Sequence, residues 1–481
     1  MKLITRRILF CFCLILFLIS SPLVILYAFG FRYDFAQKKL MQTGIIYLTP
    51  NIQDNIKILI DDEEELDKIN TKGIFKKDFV LYNLMPKTYN IKIDKENYYR
   101  WEKNLVVLPG LITYAQPLLL PANPKTNLIF SDTNILLWSI SDKFKKIFYL
   151  KSDNEKTSAN IYDFTKKTFN STPIETLGDQ SKKTSVISQD SRIFFAPDGK
   201  KFSIVLPQDA ARIILLNSAE KNISPIADFI SNDKILDEQW DDSSRYFLYL
   251  NEKGELNSYD TISGKTKKII ENILGFSLKG ENIYYLNRNN LFFYQSLINN
   301  PLEKQQLSYI AMAIAAENQI TEKIEQANIE KKMEILISAK NTLAVITPEK
   351  NLFFIGHSGI PAGIGNNIEA AVFSKDGENL VFNSSFEIFT YAPAGGRENL
   401  ITRLSQKISN VNWHSDYAHI WFLANQILKN IELDSRPTPN IIDFVNIPIE
   451  PANILYADSN NIYYDQDDND ILSLYQIEIQ K

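Results

Sequence analysis

The chain has 481 residues, of which 45% are hydrophobic, 23% are charged and 12% are aromatic, and its net charge is −5. This composition is that of a globular protein with room for two or three domains, and the aromatic content favours β structure. A mildly acidic chain lacks the basic face that phosphate binding requires, so we expect no nucleic acid partner.

The amino terminus predicts a membrane anchor. Lys2, Arg6 and Arg7 precede a long uncharged segment. That segment, residues 8–31, is longer than the about 20 apolar residues that a helix needs to cross a bilayer. Residues 1–31 are therefore interpreted as a cytoplasmic tip and a transmembrane signal-anchor helix. Because the positive end stays in the cytoplasm, we predict a single-pass protein of the cell membrane with its body outside the cytoplasm.

A cleaved signal peptide is the alternative, because Ala28, Phe29 and Gly30 could form the cleavage site. The only two cysteines, Cys11 and Cys13, both lie in the apolar segment. The predicted external body therefore has no disulfide framework, no cysteine metal site and no thiol nucleophile.

Residues 32–121 are predicted to form a small β domain. Runs with period-two alternation, separated at Pro50, Pro86 and Pro109, predict a compact antiparallel sheet. One stretch of this region, LYNLMPKTYNIKIDKENYYRWEKNLVV, resembles the PEGA domain. The matching positions are Leu84, Pro86, Tyr89, Tyr99 and Trp101.

The PEGA-like stretch departs from the family at several positions. Lys87 stands where the turn glycine is expected, Asn97 replaces another glycine, and the sequence Pro-Glu-Gly-Ala is absent. The resemblance implies a surface-associated β module without catalytic residues. We interpret Trp101 and the tyrosines as core residues rather than as a platform for sugars.

Residues 127–481 contain a repeated pattern. A bulky apolar residue is followed by a short polar turn, then by an apolar strand and a further apolar segment. The first residues of the repeats are Trp138, Phe195, Trp240, Phe276, Ile337, Phe373, Trp413 and Tyr456. Their spacing is typical of four-stranded blades, which repeat roughly every 40–45 residues. We therefore predict a mainly β protein with a β-propeller of about eight blades, and seven as the fallback.

Closure of this ring is also predicted. Each small sheet buries its faces only against its neighbours, so the repeated tryptophan and phenylalanine residues are interpreted as packing between blades. The last repeat is one strand short, and Leu128–Phe130 could supply the missing strand. Two insertions, residues 175–190 and 309–332, lengthen the pattern, and the second is predicted to hold a short helix.

One repeat resembles a known family. The stretch VFSKDGENLVFNSSFEIFTYAPAGGRENLIT, residues 372–402, is similar to TolB-type propeller repeats, including the turn at Gly395 and Gly396. Lys375 replaces the usual proline. A second good copy begins at Phe195, and the resemblance implies a propeller over residues 127–481.

Candidate chemical groups are few. The three histidines are His357, His414 and His419. Because His414 and His419 flank one hairpin and His357 belongs to another repeat, we expect turn or surface positions and no metal site. The stretch that begins at Gly356 lacks the second glycine of a nucleophile elbow, since Ile360 stands there.

The run from Asp465 to Asp470 resembles the start of a calcium loop. Asp470 replaces its glycine and Gln476 replaces its bidentate glutamate, so we expect a solvated hairpin turn. No catalytic, cofactor-binding or metal-binding residue is assigned, no cofactor is expected, and no ligand-binding residue is identified.

These observations favour a non-enzymatic, membrane-anchored cell-envelope protein whose propeller binds a protein or glycan partner. The alternative is a propeller enzyme, a glycan hydrolase or lyase that uses paired carboxylates, which 57 acidic residues leave open. Clustered carboxylates in the propeller funnel would favour the enzyme, and aromatic and amide groups there would favour binding. A purely structural spacer would have no concave polar site.

Overall fold

The computed structural model describes most of the chain. The residues outside the description are 1–2, 35–37, 65–68, 73–77, 142–144, 154–155, 174–190, 207–210, 219–222, 288–290, 297–304, 310–332, 357–360, 437, 449–453, 457–459, 469–470 and 480–481. The insertion at residues 175–190 and the helix predicted within residues 309–332 therefore lie outside the described residues, apart from Tyr309.

The amino-terminal segment is one helix, α1 (Leu3–Ala28), which continues through Pro22. Its part Leu9–Ala28 is long and apolar enough to cross a membrane, and none of it is buried within the protein. A membrane anchor and a signal sequence both have these properties. A hairpin of β1 (Phe31–Asp34) and β2 (Lys39–Gln42) follows α1.

Residues 44–115, called the small β unit below, contain seven described strands. These are β3 (Gly44–Leu48), β4 (Lys57–Ile60), β5 (Ile69–Lys72), β6 (Asp78–Leu84), β7 (Thr88–Asp94), β8 (Trp101–Val106) and β9 (Ile112–Ala115). They form two sheets, in the orders β5-β6-β3-β9 and β4-β7-β8. All neighbours are antiparallel except β3 and β9, which are parallel. The single antiparallel sheet expected from the sequence is therefore two sheets with one parallel pair.

The core of the small β unit is the apolar face that the alternating pattern predicts. Along β8 the side chains are alternately buried and exposed, and Trp101 is only 2% exposed. Tyr89 is buried in the same cluster, together with Ile46, Leu48 and Ile91. The prediction that Trp101 is a core residue is thus confirmed.

Residues 126–478, called the ring below, form eight four-stranded sheets among the described residues. The first strand is β10 (Thr126–Thr133). Blades 1 to 4 follow as β11 (Ile135–Ser141), β12 (Lys146–Asp153), β13 (Lys156–Asp163), β14 (Thr168–Pro173); β15 (Arg192–Phe195), β16 (Lys201–Leu206), β17 (Arg212–Ser218), β18 (Ile223–Ile230); β19 (Ile235–Trp240), β20 (Tyr246–Asn251), β21 (Leu256–Asp260), β22 (Lys265–Ile270); and β23 (Ile273–Lys279), β24 (Asn282–Asn287), β25 (Leu291–Ser296), β26 (Gln305–Tyr309).

Blades 5 to 8 complete the ring. They are β27 (Glu334–Ile337), β28 (Leu343–Ile346), β29 (Leu352–Ile355), β30 (Pro361–Gly365); β31 (Ala370–Phe373), β32 (Leu380–Asn383), β33 (Glu387–Ala392), β34 (Arg397–Arg403); β35 (Ile408–Trp413), β36 (His419–Ala424), β37 (Ile427–Glu432), β38 (Ile441–Asn446); and β39 (Ile454–Tyr456), β40 (Asn461–Asp468), β41 (Ile471–Glu478) with β10 as the fourth strand. First strands of successive blades contact one another from β11 to β35, so they are the innermost strands.

The ring closes through its first strand. β10 pairs antiparallel with β41, and Ser131 lies opposite Ser473 in the register. Their hydroxyl oxygens are 3.1 Å apart. The predicted closing strand at Leu128–Phe130 is therefore confirmed within the longer strand β10.

Among the described residues, eight apolar clusters fill the eight interfaces between neighbouring blades. Strand β36 shows how one strand serves two of them: Ile420 and Phe422 pack towards blade 6, and Trp421 and Leu423 pack towards blade 8. A cluster between blades 8 and 1 completes the circle. The period-two alternation thus gives each blade two apolar faces, and the predicted propeller of about eight blades is confirmed.

The repeated tryptophan and phenylalanine residues lie between blades, as predicted. Trp240, Phe276 and Trp413 are each more than nine-tenths buried in an inter-blade cluster.

The turn after Phe373 needs its glycine for two reasons. Gly377 has a φ of 74°, and a Cβ atom there would lie 2.9 Å from the backbone nitrogen of Ala339 in blade 5.

Candidate functional site

The turn between β35 and β36 in blade 7 brings together two histidines and an aspartate. His419 Nδ1 lies 2.8 Å from Asp416 Oδ2, and His414 Nδ1 lies 3.0 Å from Asp416 Oδ1. Both imidazoles are buried. They flank a turn as predicted, but the alternative expectation of surface positions is wrong for them. His357 lies outside the described residues.

These three side chains are metal ligands by type, and their ligand atoms lie within 4.8 Å of one another. However, Asp416 Oδ1 also accepts the backbone N–H groups of Ala418 and His419, at 2.9 and 3.1 Å. Asp198 makes the same two contacts in the blade 2 turn, where no histidine is present. The aspartate therefore has a turn-forming role that needs no ion.

The histidines change the electrostatics of this turn. Burial raises the pKa of the Asp416 carboxyl. Hydrogen bonds from His414 and His419 lower the pKa by more than burial raises it, so the pKa lies well below the usual value. The carboxylate thus stays ionised and holds the turn over the whole physiological pH range. His414 Nε2 is buried and has no hydrogen-bond partner among the described residues.

A buried ion pair lies beside this turn. His419 is opposite Glu432 in the β36–β37 register, and Glu432 Oε2 is 3.0 Å from Lys103 Nζ. The two charged side chains are 3% and 1% exposed. Burial raises the pKa of Glu432, and the charge of Lys103 opposes this rise only in part. Asn440 donates a further hydrogen bond of 3.1 Å to Oε2.

The ion pair joins the small β unit to the ring, because Lys103 lies on β8 and Glu432 ends β37. Lys103 also lies 3.2 Å from Asp434 Oδ2, and Arg436 donates to the Tyr114 carbonyl oxygen at 3.2 Å. Leu118 and Leu120 pack into the apolar cluster between blades 7 and 8. Polar and apolar contacts thus hold the small β unit on these two blades.

Sequence reasoning missed Lys103 as a site residue. A signal was present, because Trp101, Lys103 and Leu105 occupy the buried positions of one alternating strand. A lysine on the core side of such a strand is rare unless it is paired. The identity of its partner was not readable, since Glu432 lies near the opposite end of the chain.

The polar side chains on the innermost strands help to distinguish a binding propeller from a catalytic one. Their carboxylates, in the described part of the ring, are Asp237, Glu238 and Glu334. Glu238 is fully buried and forms a 3.0 Å ion pair with Arg192 of blade 2. Half-buried hydroxyl and amide side chains lie on these same strands, at Ser139, Gln239, Ser277, Ser409, Asn410 and Asn412.

A cleft of about 300 Å³ lies between blades 5 and 6. The residues at its floor are Phe353, Ile364, Phe382 and Phe389, of which the first three are almost fully buried, and those at its rim are Asn351, Asn366, Glu387 and Glu398. More of the surface that the cleft exposes is polar than apolar. A Cβ atom at Gly363 would meet only the Phe353 ring, at 3.7 Å, so this glycine leaves the floor open. Glu387 is held by Arg403 at 2.6 Å.

The acidic run near the carboxyl terminus is partly a strand. Asp465 and Gln466 belong to β40 and are buried, and Asp465 Oδ2 accepts the Trp138 indole N–H at 2.9 Å. Asp467 and Asp468 are exposed. The expected solvated turn is therefore wrong for the first two residues, of which Asp465 connects blades 8 and 1. Asp470 lies outside the described residues.

No family model matches the chain, and no curated protein matches it. Several solved structures are similar to it. Saccharomyces cerevisiae Sqt1 has a TM-score of 0.49 at 10% identity and covers 74% of this chain and 98% of its own. The C-terminal WD40 domain of Sif2 has a TM-score of 0.46 at 10% identity and covers 74% and 99%. The β-propeller domain of Myceliophteria thermophila Cps50 (Swd1) has a TM-score of 0.39 at 12% identity and covers 61% and 98%.

These similarities concern the propeller fold alone. The propeller assignment rests on the eight sheets and on the eight clusters between them. The PEGA-like and TolB-type resemblances remain predictions from the sequence. The chain is a β-propeller protein with one amino-terminal apolar helix.

Proposed function

We propose that this chain is a non-enzymatic, membrane-anchored protein whose propeller binds a protein partner outside the cytoplasm. In this proposal residues 1–31 provide the anchor, residues 32–121 form a PEGA-like domain and residues 127–481 form the binding propeller. The observation that carries the binding role is the cleft between blades 5 and 6.

The chemistry of the cleft favours a polypeptide partner. The cleft offers both apolar and polar contacts to one side chain of a partner, since phenylalanine rings form its floor and asparagine and glutamate side chains form its rim. The carboxylate of Glu398 on the rim suits a neighbouring lysine or arginine. Glu387 is already paired with Arg403, so Glu398 is the rim carboxylate that remains for such a partner.

The distribution of carboxylates supports binding rather than glycan cleavage. Glycosidases need two carboxyl groups about 5–9.5 Å apart around the scissile bond. On the described innermost strands, Glu238 is buried against Arg192 and Asp237 is also buried, so Glu334 alone is exposed and has no exposed carboxylate on these strands to pair with. The enzyme alternative would require a pair of carboxylates elsewhere on the ring.

The binding proposal is tested by filling the cleft. In pull-downs from solubilised envelope with the full chain, Gly363→Leu is expected to weaken retention of the partner at least about tenfold, because the added side chain occupies the apolar floor. Gly395→Leu is the matched control, since a Cβ atom there meets only the Ala392 carbonyl oxygen at 3.7 Å. Deletion of residues 127–481 should abolish retention.

Three results would contradict this proposal. The first is equal retention by both glycine variants, and the second is retention of a glycan in place of a protein. The third is cleavage of cell-wall material by the purified chain, which would favour the enzyme alternative.

The proposed topology has its own test. Protease added to intact spheroplasts is expected to degrade the ring and the small β unit, because the positive charges before residues 8–31 hold the amino terminus in the cytoplasm. A cytoplasmic marker protein should survive until detergent is added. Full protection of the body in intact spheroplasts would reverse the assigned orientation.

A further inference from the structure

The end of α1 is bonded directly to the structure that follows it. Three side chains donate hydrogen bonds to carbonyl groups in the last turn of α1 and in the two residues that follow it. Arg32 donates to the Tyr27 oxygen at 2.9 Å, Gln42 to the Phe29 oxygen at 3.2 Å, and Thr43 to the Gly30 oxygen at 2.9 Å. The helix is therefore continuous with the small β unit rather than joined to it by a free linker.

The same residues contact the loop between β8 and β9. Gly110 N–H donates to the Thr43 carbonyl oxygen at 3.1 Å, and a Cβ atom at Gly110 would lie 2.7 Å from the Gln42 side chain. This loop presents two leucines to the outside. Leu108 and Leu111 are each more than half exposed. An apolar loop tip is thus connected, through Gln42 and Thr43, to the two residues that follow the apolar helix.

The length of α1 fixes where that loop would lie in a membrane. The segment Leu9–Ala28 has 20 residues and is about 30 Å long, which equals the thickness of the hydrocarbon core of about 30 Å. Tyr27 and Phe29 are exposed at its end, where aromatic side chains occupy the layer between lipid and water. Groups hydrogen-bonded to Phe29 and Gly30 must then lie in the same layer.

We propose that the small β unit rests on the outer surface of the bilayer, with Leu108 and Leu111 inserted into its interfacial layer. The inference rests on the proposed anchoring by α1 and adds a second membrane contact to it. Because the small β unit is fixed to blade 7 through Lys103 and Glu432, this contact would also set the orientation of the ring relative to the membrane.

The test places a fluorescent probe on the loop of the full chain. Cys11→Ala and Cys13→Ala remove the native thiols, and Leu111→Cys provides the single labelling site. The labelled protein is reconstituted into vesicles of phosphatidylethanolamine and phosphatidylglycerol. Ile262→Cys is the matched control, because Ile262 is an isoleucine that is 76% exposed on the ring, in blade 3.

The probe at position 111 is expected to lose quenching by aqueous iodide and to gain quenching by brominated lipid, whereas the probe at position 262 should show the reverse. Leu108→Cys should behave like Leu111→Cys. The probe at position 111 could instead be quenched by iodide as strongly as the control probe, in protein that stays in the vesicles after a carbonate wash. That result would overturn the proposed surface contact but would agree with anchoring by α1. Shielding from iodide without lipid quenching would indicate a protein contact and also overturn it. Release by carbonate would overturn both the anchor and the contact.

Discussion

Replacing Ser131 and Ser473 together by cysteine is expected to form a disulfide that raises the free energy of unfolding by as much as about 5 kcal/mol. The two hydroxyl oxygens are 3.1 Å apart on directly opposed residues of β10 and β41. The bond would enclose nearly the whole ring, and a cross-link across a long loop removes the most entropy from the unfolded chain.

The measurement compares oxidised and reduced forms of the double variant by non-reducing electrophoresis and by thermal unfolding. The native cysteines, Cys11 and Cys13, lie in α1 and are replaced by alanine. The single variant Ser131→Cys controls for the loss of the hydroxyl contact. Failure of the pair to oxidise would mean that β10 does not close the ring, and the eight-bladed architecture would have to be revised.

Replacing Lys103 by methionine is expected to destabilise the protein by about 3–5 kcal/mol at neutral pH. The methionine has similar length and retains packing, but it leaves the buried carboxylate of Glu432 without its charged partner. The double variant Lys103→Met with Glu432→Gln should recover most of the loss. The measurement is chemical denaturation of the original protein, of Lys103→Met, of Glu432→Gln and of the double variant, which together form a double-mutant cycle.

The loss should depend on pH in a definite direction. The pKa of Glu432 is raised in the folded protein, so the folded state binds more protons than the unfolded state between the two pKa values, and stability falls as pH rises through that window. Removal of Lys103 raises this pKa further and widens the window. The deficit of Lys103→Met should therefore be largest at neutral pH and shrink as pH approaches the unfolded value of about 4.3.

An exposed ion pair of the small β unit serves as the matched control. Lys57 and Glu64 are 3.0 Å apart, but their side chains are 53% and 41% exposed. Lys57→Met should cost less than about 1 kcal/mol and show little dependence on pH. An equal effect of both lysine substitutions, or a deficit of Lys103→Met that stays constant with pH, would contradict a role for the buried charge.

The amino-acid sequence by itself determined the blades. A bulky residue, a polar turn and an apolar run are local features, and each is read within one hairpin. Residues such as Trp240 and Trp413 therefore lie where the repeat predicts, between blades. The closing strand was also predictable, because the repeat at Tyr456 lacked a fourth strand and the residues before Trp138 had no repeat of their own.

The tertiary structure decided the contacts between distant segments. Period-two alternation shows that Lys103 faces a buried side, but it does not show that Glu432 is the group it meets. Similarly, the turn that contains His414 was recognisable, whereas its burial beneath neighbouring elements was not. The cleft at Gly363 arises only where two blades meet. A periodic pattern specifies which side of a strand is buried, and the packing of the whole ring and its docked β unit decides what covers that side.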